Sequence, residues 1–419
     1  MATNLVVNPF LQFQPMIDDD SRFRLIAPKP GEGLLTLEVS KTENPNLFDV
    51  FSDLIKSRLD YLDPGVDLND GERSTLFENG VLVETDAKPE IPLFSCELDS
   101  VEPFSGGFVR NELIIHPAFR FEPFDLTKFS YFARERHLSP FKPSIWIRSS
   151  VTGIEIGHWI TNEQAAIVAG FKAGESVPDT ADEPLLRKLL TAEIILTRES
   201  LESLDQLWQR SIDTAKSEFA AKNYAILRGL FPPEHMRAMR EYYRRYVESG
   251  FMPFGDAQVG RRYREHNEVF ATYLHGQFLH LMSEVVGEPV KLSYVYAASY
   301  KDGSILDPHT DREQCEFSIS FQVDYEPEPE GQISPWAIYA EPLSNYRDTI
   351  QKGGTTIGWG EIGSRDRASE PQPLHLASGD GLIYKGRELV HYRYALPEGH
   401  RSTSLFFHYV AEDFAGDLS

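Results

Sequence analysis

Three side chains in the second half of the chain have the types and spacing of a metal centre. His309 and Asp311 stand two apart in His309-Thr310-Asp311. In extended backbone, residues two apart project from the same side, so this imidazole and carboxylate reach one ion. His391 follows a glycine turn at Gly386 and supplies a second imidazole. Two imidazoles and one carboxylate on one face of an ion leave three coordination positions open. That arrangement suits non-haem Fe(II), at which substrate-derived oxygens and O2 must bind together. Ten positions beyond His391, Arg401 opens the last strand, and Thr403 follows it with one residue between. A planar guanidinium grips a carboxylate through two parallel hydrogen bonds, so Arg401 is the candidate anchor for the far end of a dicarboxylate.

A single His-x-Asp pair says little. With 12 histidines and 64 acidic residues in the chain, roughly one such pair arises by chance. The surroundings supply the weight: a strand ending at Tyr300, a glycine turn, the pair itself, then another strand from Glu316. His400 and His408 compete with His391 for the third ligand, but His400 falls in a turn and His408 inside a regular strand. Tyr300, or Tyr294 or Tyr296 on the same strand face, is a candidate donor to a co-substrate; aromatics at period two are more often core. Arg312 reads as a solvated ion pair with Glu313 or Glu316, and Arg365 and Arg367 as exposed loop residues. His266, His275 and His280 read as structural residues on a helix, because spacings of nine and five do not bring them to one face. Gly353-Gly354-x-x-x-Gly358 lacks the following Lys-Ser/Thr of a phosphate cradle.

The elements that must hold these residues change character along the chain. From Pro289 the apolar period is two. Val290, Leu292, Tyr294, Tyr296, Ala298 and Tyr300 share a strand face, and Ser318 to Tyr325, Leu382 to Tyr384 and Thr403 to Val410 are further strands. Such a series suggests a sandwich or jelly roll. Between Glu341 and His375 five glycines break the pattern, and a loop this long reads as a lid or a disordered insertion. Upstream, Tyr224 to Arg228 reads as a strand and Pro232-Pro233-Glu234 opens a helix. Thr197 to Lys222 is a linking helix. Residues 47–62 with 71–84, and 164–171 with 184–196, both read as helix, break, short helix and apolar strand, a winged-helix-like module used twice. The expected fold is α+β: a module over 1–105, a second with the linker helix over 106–215, and a C-terminal double-stranded β-helix (jelly roll) with flanking helices over 216–419.

Together His309-x-Asp311, His391 and Arg401-x-Thr403 resemble the signature of the Fe(II)- and 2-oxoglutarate-dependent oxygenases. Tyr300-x-x-Gly303-x-x-Leu306-x-x-His309-x-Asp311 is similar to the prolyl-hydroxylase branch of that superfamily. The resemblance covers about residues 220 to 410. It departs in Thr403, where many members have Ser, and in the spacing of about 80 residues between Asp311 and His391. It implies His309, Asp311 and His391 as iron ligands. Arg401, Thr403 and Tyr300 would hold 2-oxoglutarate, which is consumed with O2. The Asp at 311 argues for hydroxylation, since related halogenases have Gly or Ala there. The implied substrate is an amino-acid side chain in a peptide or an amino-acid-derived metabolite.

Composition sets outer limits. The chain has 419 residues, 41% hydrophobic and 25% charged, within the globular range. A net charge of -23 repels phosphate backbones and anionic lipids, arguing against nucleic-acid or membrane partners. Two cysteines, Cys96 and Cys315, rule out a disulfide framework and, on this reading, a thiolate-based structural zinc site as well. Their scarcity, and a start without a basic, apolar leader, fit the cytoplasm. The rival readings are a secondary-metabolite tailoring oxygenase, a non-catalytic binding protein with a vestigial metal site, and a metal-binding cupin that uses no 2-oxoglutarate.

Overall fold

The computed structural model describes residues 5–8, 11–15, 21–29, 33–57, 68–84, 94–123, 142–248, 250, 252–343, 359 and 371–418. Contacts divide the chain into two compact units. One comprises Met1–Leu93, Asp125–Ser139 and Tyr242–Phe254; the other comprises Phe94–Phe124, Pro140–Glu241 and Gly255–Ser419. Residues 94–124 and 140–215 therefore group with the C-terminal strands, where the sequence suggests a separate second module.

In the first unit β1 (Leu5–Val7), β2 (Gln12–Pro15), β3 (Arg22–Lys29) and β4 (Gly33–Ser40) precede α1 (Pro45–Ser57), α2 (Asp70–Glu78) and β5 (Leu82–Glu84). The order β2-β3-β4 forms one antiparallel sheet and β1-β5 a pair. Leu25, Val39, Phe51, Leu76 and Val81 close its core. α2 begins at Asn69, whose side chain accepts from Glu72 N while Glu72 reaches back to Asn69 N, so two orphan amides are satisfied.

The second unit opens with β6 (Ile114–Ile115), β7 (Arg120–Glu122), β8 (Ser144–Arg148) and β9 (Glu155–Trp159). α3 (Asn162–Val168), α4 (Glu183–Thr191), β10 (Ile195–Leu196) and α5 (Arg198–Lys222) follow. The order helix, helix, short strand occurs in each unit, as α1, α2, β5 and as α3, α4, β10, and by itself this order does not make a winged-helix module. β5 pairs with β1, and β10 with β6. α5 starts at Thr197, which accepts from Ser200 N, and stops at Asn223 in the left-handed region.

The remaining elements build the site. They are β11 (Tyr224–Leu227), α6 (Pro233–Glu248), β12 (Arg262–His266), α7 (Val269–Gln277), α8 (Leu279–Val286), β13 (Val290–Lys301), β14 (Leu306–His309), β15 (Phe317–Glu326), β16 (Ile338–Pro342), β17 (Gln372–Leu374), β18 (Gly381–Lys385), β19 (Leu389–Arg393) and β20 (Arg401–Ala411). One sheet runs β11-β18-β15-β20-β13-β12 and the other β14-β19-β16-β17. The last eight strands pair first with last (β13–β20), second with seventh (β14–β19), third with sixth (β15–β18) and fourth with fifth (β16–β17). Most of the 341–375 insertion, including Arg365 and Arg367, lies outside the described residues. Among the described residues no helix is long and apolar enough to cross a membrane.

The two faces of the larger sheet differ. On β15 and β20 the odd residues Phe317, Phe321 and Phe407 point to the helices. Phe407 lies 5.1 Å (ring centroids) from Phe278, between α7 and α8, and Phe317 lies 6.4 Å from Phe219 of α5. The even residues Ser320, Phe406 and His408 line an internal cavity, with Tyr294 and Tyr300 of β13 and Tyr384 of β18. The strand alternation thus gives an apolar outer face for packing and a polar, aromatic inner face.

Phe407 is fully buried in that outer layer. Phe407→Ala is expected to destabilise by about 3–5 kcal/mol, read as a lower denaturant midpoint. An unchanged midpoint would contradict the helix-backed sheet.

Candidate metal centre

His309 ends β14 and faces His391 of β19 directly across the antiparallel ladder. Their ring centroids are 4.2 Å apart. Asp311 lies just beyond the strand end, held by its backbone N–H donating to Gly386 O at 2.8 Å. Its Oδ1 sits 3.4 Å from His391 Nε2 and 3.7 Å from His309 Nε2. The three ligand atoms all lie within 4.8 Å of one another. The structure thus brings these three side chains together, close enough for one ion to touch all of them.

Backbone carbonyls orient both rings. His309 Nδ1 lies 2.7 Å from Asp307 O, and His391 Nδ1 lies 3.1 Å from Leu389 O. A carbonyl oxygen only accepts, so each Nδ1 carries the proton and each Nε2 presents a lone pair to the shared centre. The outer carboxylate oxygen of Asp311 accepts from Ser318 Oγ at 3.4 Å, and Ser318 Oγ also pairs with His408 Nδ1 at 2.9 Å. Oδ1 is left to face the imidazoles. His408, a rival for the third ligand, therefore backs Asp311 through Ser318; His400 pairs with Tyr325 elsewhere.

The charge states suit a cation. Burial, reinforced by the field of His391, holds His309 down at about 4. Burial opposes ionisation of Asp311, but His391 and His309 outweigh it and bring the carboxyl down to about 2. Burial also works against a charged His391, yet Asp311 dominates and raises it above its ordinary value. Two imidazoles and an ionised carboxylate, with no fourth protein ligand grouped with them among the described residues, fit Fe(II) with open positions.

The cavity in front of the centre is about 580 Å³. The structure does not bring Arg401 or Thr403 to it. Arg401 is exposed at the start of β20, and Thr403, although buried, donates to Ser299 Oγ at 3.0 Å. The reason is parity: Phe406 and His408 face the cavity, so the odd-numbered Arg401 and Thr403 project from the other side of the same strand. Arg393 stands where Arg401 was expected. Two residues beyond His391 on β19, it shares that residue's face and lines the cavity. Its guanidinium lies 4.3 Å from the Trp336 ring, and Nη1 donates to Trp336 O at 2.6 Å. Nη2 is buried with no hydrogen-bond partner among the described residues. Burial lowers this guanidinium to about 10, so it stays cationic near neutrality. Ser320 Oγ, which also lines the cavity, likewise has no partner among the described residues.

Tyr300 lines the cavity as expected, and its phenol oxygen accepts from Arg262 Nη1 at 3.2 Å. Arg262 also binds Asp256 and Gln258, at 2.7 and 3.0 Å, so its donors are engaged. Arg312 is not a solvated pair: it lies over the Tyr294 ring at 5.0 Å and lines the cavity. His266 is on β12, not a helix, and also lines the cavity; His275 and His280 lie on α7 and α8. The sequence signal for Arg393 was available in its even spacing from His391.

No protein-family model matches this chain, and no curated protein sequence matches it. Solved structures similar to it include SnoN, a non-haem α-ketoglutarate-dependent epimerase from nogalamycin biosynthesis (13% identity, 48% of this chain and 82% of that one, TM-score 0.38). A Pseudomonas putida prolyl-4-hydroxylase matches at 12% identity over 48% of this chain and 99% of its own, with a TM-score of 0.34. HygX from Streptomyces hygroscopicus, with nickel and 2-oxoglutarate bound, matches at 15% over 48% and 87%, with a TM-score of 0.36. Identities this low leave the assignment of chemistry to the geometry of the site.

Two outcomes are expected. A Cβ at Gly386 would sit 2.5 Å from Cys315 O and closer still to Asp311 Oδ2. Gly386→Ala should therefore push Asp311 off position and weaken Mn(II) binding about 10–100-fold, with far-UV circular dichroism unchanged; wild-type affinity would contradict the placement. Metal binding also requires a neutral His391. Because its pKa is raised, affinity should fall about tenfold per unit as pH drops below that pKa and level off above it. Calorimetric titration across the range checks the slope, and a flat profile contradicts it.

Proposed function

We propose that this chain is an Fe(II)- and 2-oxoglutarate-dependent oxygenase whose eight-strand pairing order is that of a double-stranded β-helix. The observation that carries the reading is the convergence of His309 Nε2, Asp311 Oδ1 and His391 Nε2 on one cavity wall. When bound there, iron supplies O2 activation coupled to oxidation of the keto acid.

The chain's own residues do the rest. Arg393 is the anchor for the far carboxylate of 2-oxoglutarate: its free Nη2 offers a charge-assisted donor in a buried setting, where such a bond is strong. Stacking on Trp336 and the bond to its carbonyl fix the guanidinium plane before the ligand arrives. Since Tyr300 accepts from Arg262, its own O–H remains free to donate into the cavity. The aromatic inner face excludes water around the reacting groups. Arg312, over Tyr294, offers a second cationic patch that suits the carboxylate of an amino-acid-derived substrate, free or in a peptide. The reaction read here is hydroxylation of an unactivated carbon.

The test is anaerobic addition of Fe(II) and 2-oxoglutarate. A weak visible charge-transfer band is expected, absent in His309→Ala and His391→Ala. Arg393→Ala should weaken 2-oxoglutarate binding by about 2–5 kcal/mol, while Arg401→Ala leaves it unchanged. Loss confined to Arg401→Ala would reject the anchor. Aerobic incubation with amino-acid derivatives and peptides should give succinate and a product heavier by one oxygen; turnover confined to unrelated scaffolds would reject the substrate class.

A further inference from the structure

Away from this cavity, a second cluster of metal-ligating side chains is enclosed in the protein. Cys96, His158 and His235 offer ligand atoms that lie within 4.8 Å of one another. Their exposures are 1%, 0% and 2%, and that of neighbouring Glu234 is 7%. Three segments distant in sequence bring them together. Cys96 precedes a short parallel bridge between Glu97 and Trp159, and its carbonyl accepts from Trp159 N at 2.9 Å. His158 is on β9, next to that bridge. Glu234 and His235 occupy the first turn of α6.

Hydrogen bonding leaves these groups poised and incomplete. His235 Nε2 lies 2.9 Å from Gly157 O. Since that carbonyl can only accept, Nε2 carries the proton and Nδ1 is a bare lone pair, 3.7 Å from Cys96 Sγ. This is the same orientation device seen at His309 and His391. Neither nitrogen of the fully buried His158 has a hydrogen-bond partner among the described residues, and neither does Glu234 Oε1. Those two groups face each other at 3.9 Å. An unpartnered buried polar atom is destabilising, and here both His158 nitrogens and Glu234 Oε1 lie close together without a partner among the described residues. Around a tetrahedral ion with bonds of about 2.0–2.3 Å, neighbouring ligand atoms lie about 3.3–3.7 Å apart. The 3.7 Å Cys96–His235 separation already fits that range, the 3.9 Å His158–Glu234 separation nearly so, and the remaining pairs of the trio, within 4.8 Å, close up on binding.

We propose that Cys96, His158 and His235 form a buried structural site for Zn(II), which Glu234, 3.9 Å from His158 but outside the mutual grouping of the other three, closes as fourth ligand by a shift of its side chain. One thiolate, two imidazoles and a carboxylate match its borderline softness and tetrahedral preference, and four protein ligands leave no position for substrate. On binding, the Cys96 thiol gives up its proton to solvent as the sulfur–metal bond forms. The ion ties the Cys96 segment and β9 to α6, whose preceding strand β11 pairs with β18 of the larger sheet. Cysteine scarcity excludes sites needing several thiolates; a one-thiolate site escapes that argument.

Metal-free full-length protein titrated with Co(II) tests the site, because the His309 centre has no sulfur ligand. The expected result is a near-ultraviolet thiolate-to-cobalt charge-transfer band with tetrahedral visible bands, saturating at one equivalent and displaced by Zn(II). It should vanish in Cys96→Ser and persist in Cys315→Ser. Should Cys96→Ser fail to fold, persistence in Cys315→Ser assigns the band, since the chain has two cysteines. No band at saturating Co(II), or a band lost in Cys315→Ser, overturns the proposal. Neither result depends on Fe(II) or 2-oxoglutarate binding at His309.

Discussion

The register between β14 and β19 is the constraint from which the site follows. It sets His309 opposite His391, and the period of two then decides what else can join them. Arg393 enters because it is an even step from His391, and Asp311 because it is an even step from His309. A slip of one residue by either strand would turn that strand's imidazole out of the cavity and replace it with its neighbour. The backbone carbonyls of Asp307 and Leu389 complete the constraint by fixing which nitrogen faces inward.

The same alternation explains how one sheet serves two purposes. Its outer face is filled by Phe317, Phe321 and Phe407 against helices. Its inner face carries Ser318, Ser320, Tyr384 and His408, which would be poor core residues and are useful around a ligand. The inner face is cationic where it matters: Arg262, Arg312 and Arg393 line a cavity in a chain of net charge -23. Long-range repulsion of anions by the acidic exterior and short-range capture by the buried Arg393 guanidinium therefore act at different distances.

Much of the site was legible because its signal is local. His309-x-Asp311 sits within one strand end, and the apolar periods of β13, β15, β18 and β20 announce the sheets. Arg401 misled because ten residues and a turn at Gly399 intervene, and spacing across a turn does not preserve strand parity. The Cys96, His158 and His235 cluster left no sequence pattern, since its members come from segments far apart and meet only through tertiary packing. His266 read as helical because its neighbours in the chain are, yet β12 adds to the edge of the sheet at β13. The grouping of Phe94–Phe124 and Pro140–Glu241 with the C-terminal strands is likewise a matter of long-range contacts that composition cannot reveal.

The most direct test of the central claim is anomalous X-ray scattering from crystals loaded with Mn(II) and 2-oxoglutarate, recorded above the manganese edge. The account predicts a peak at about 2.1 Å from His309 Nε2, Asp311 Oδ1 and His391 Nε2, with the far carboxylate of 2-oxoglutarate on Arg393. Full manganese loading with no density shared by those three atoms would contradict it.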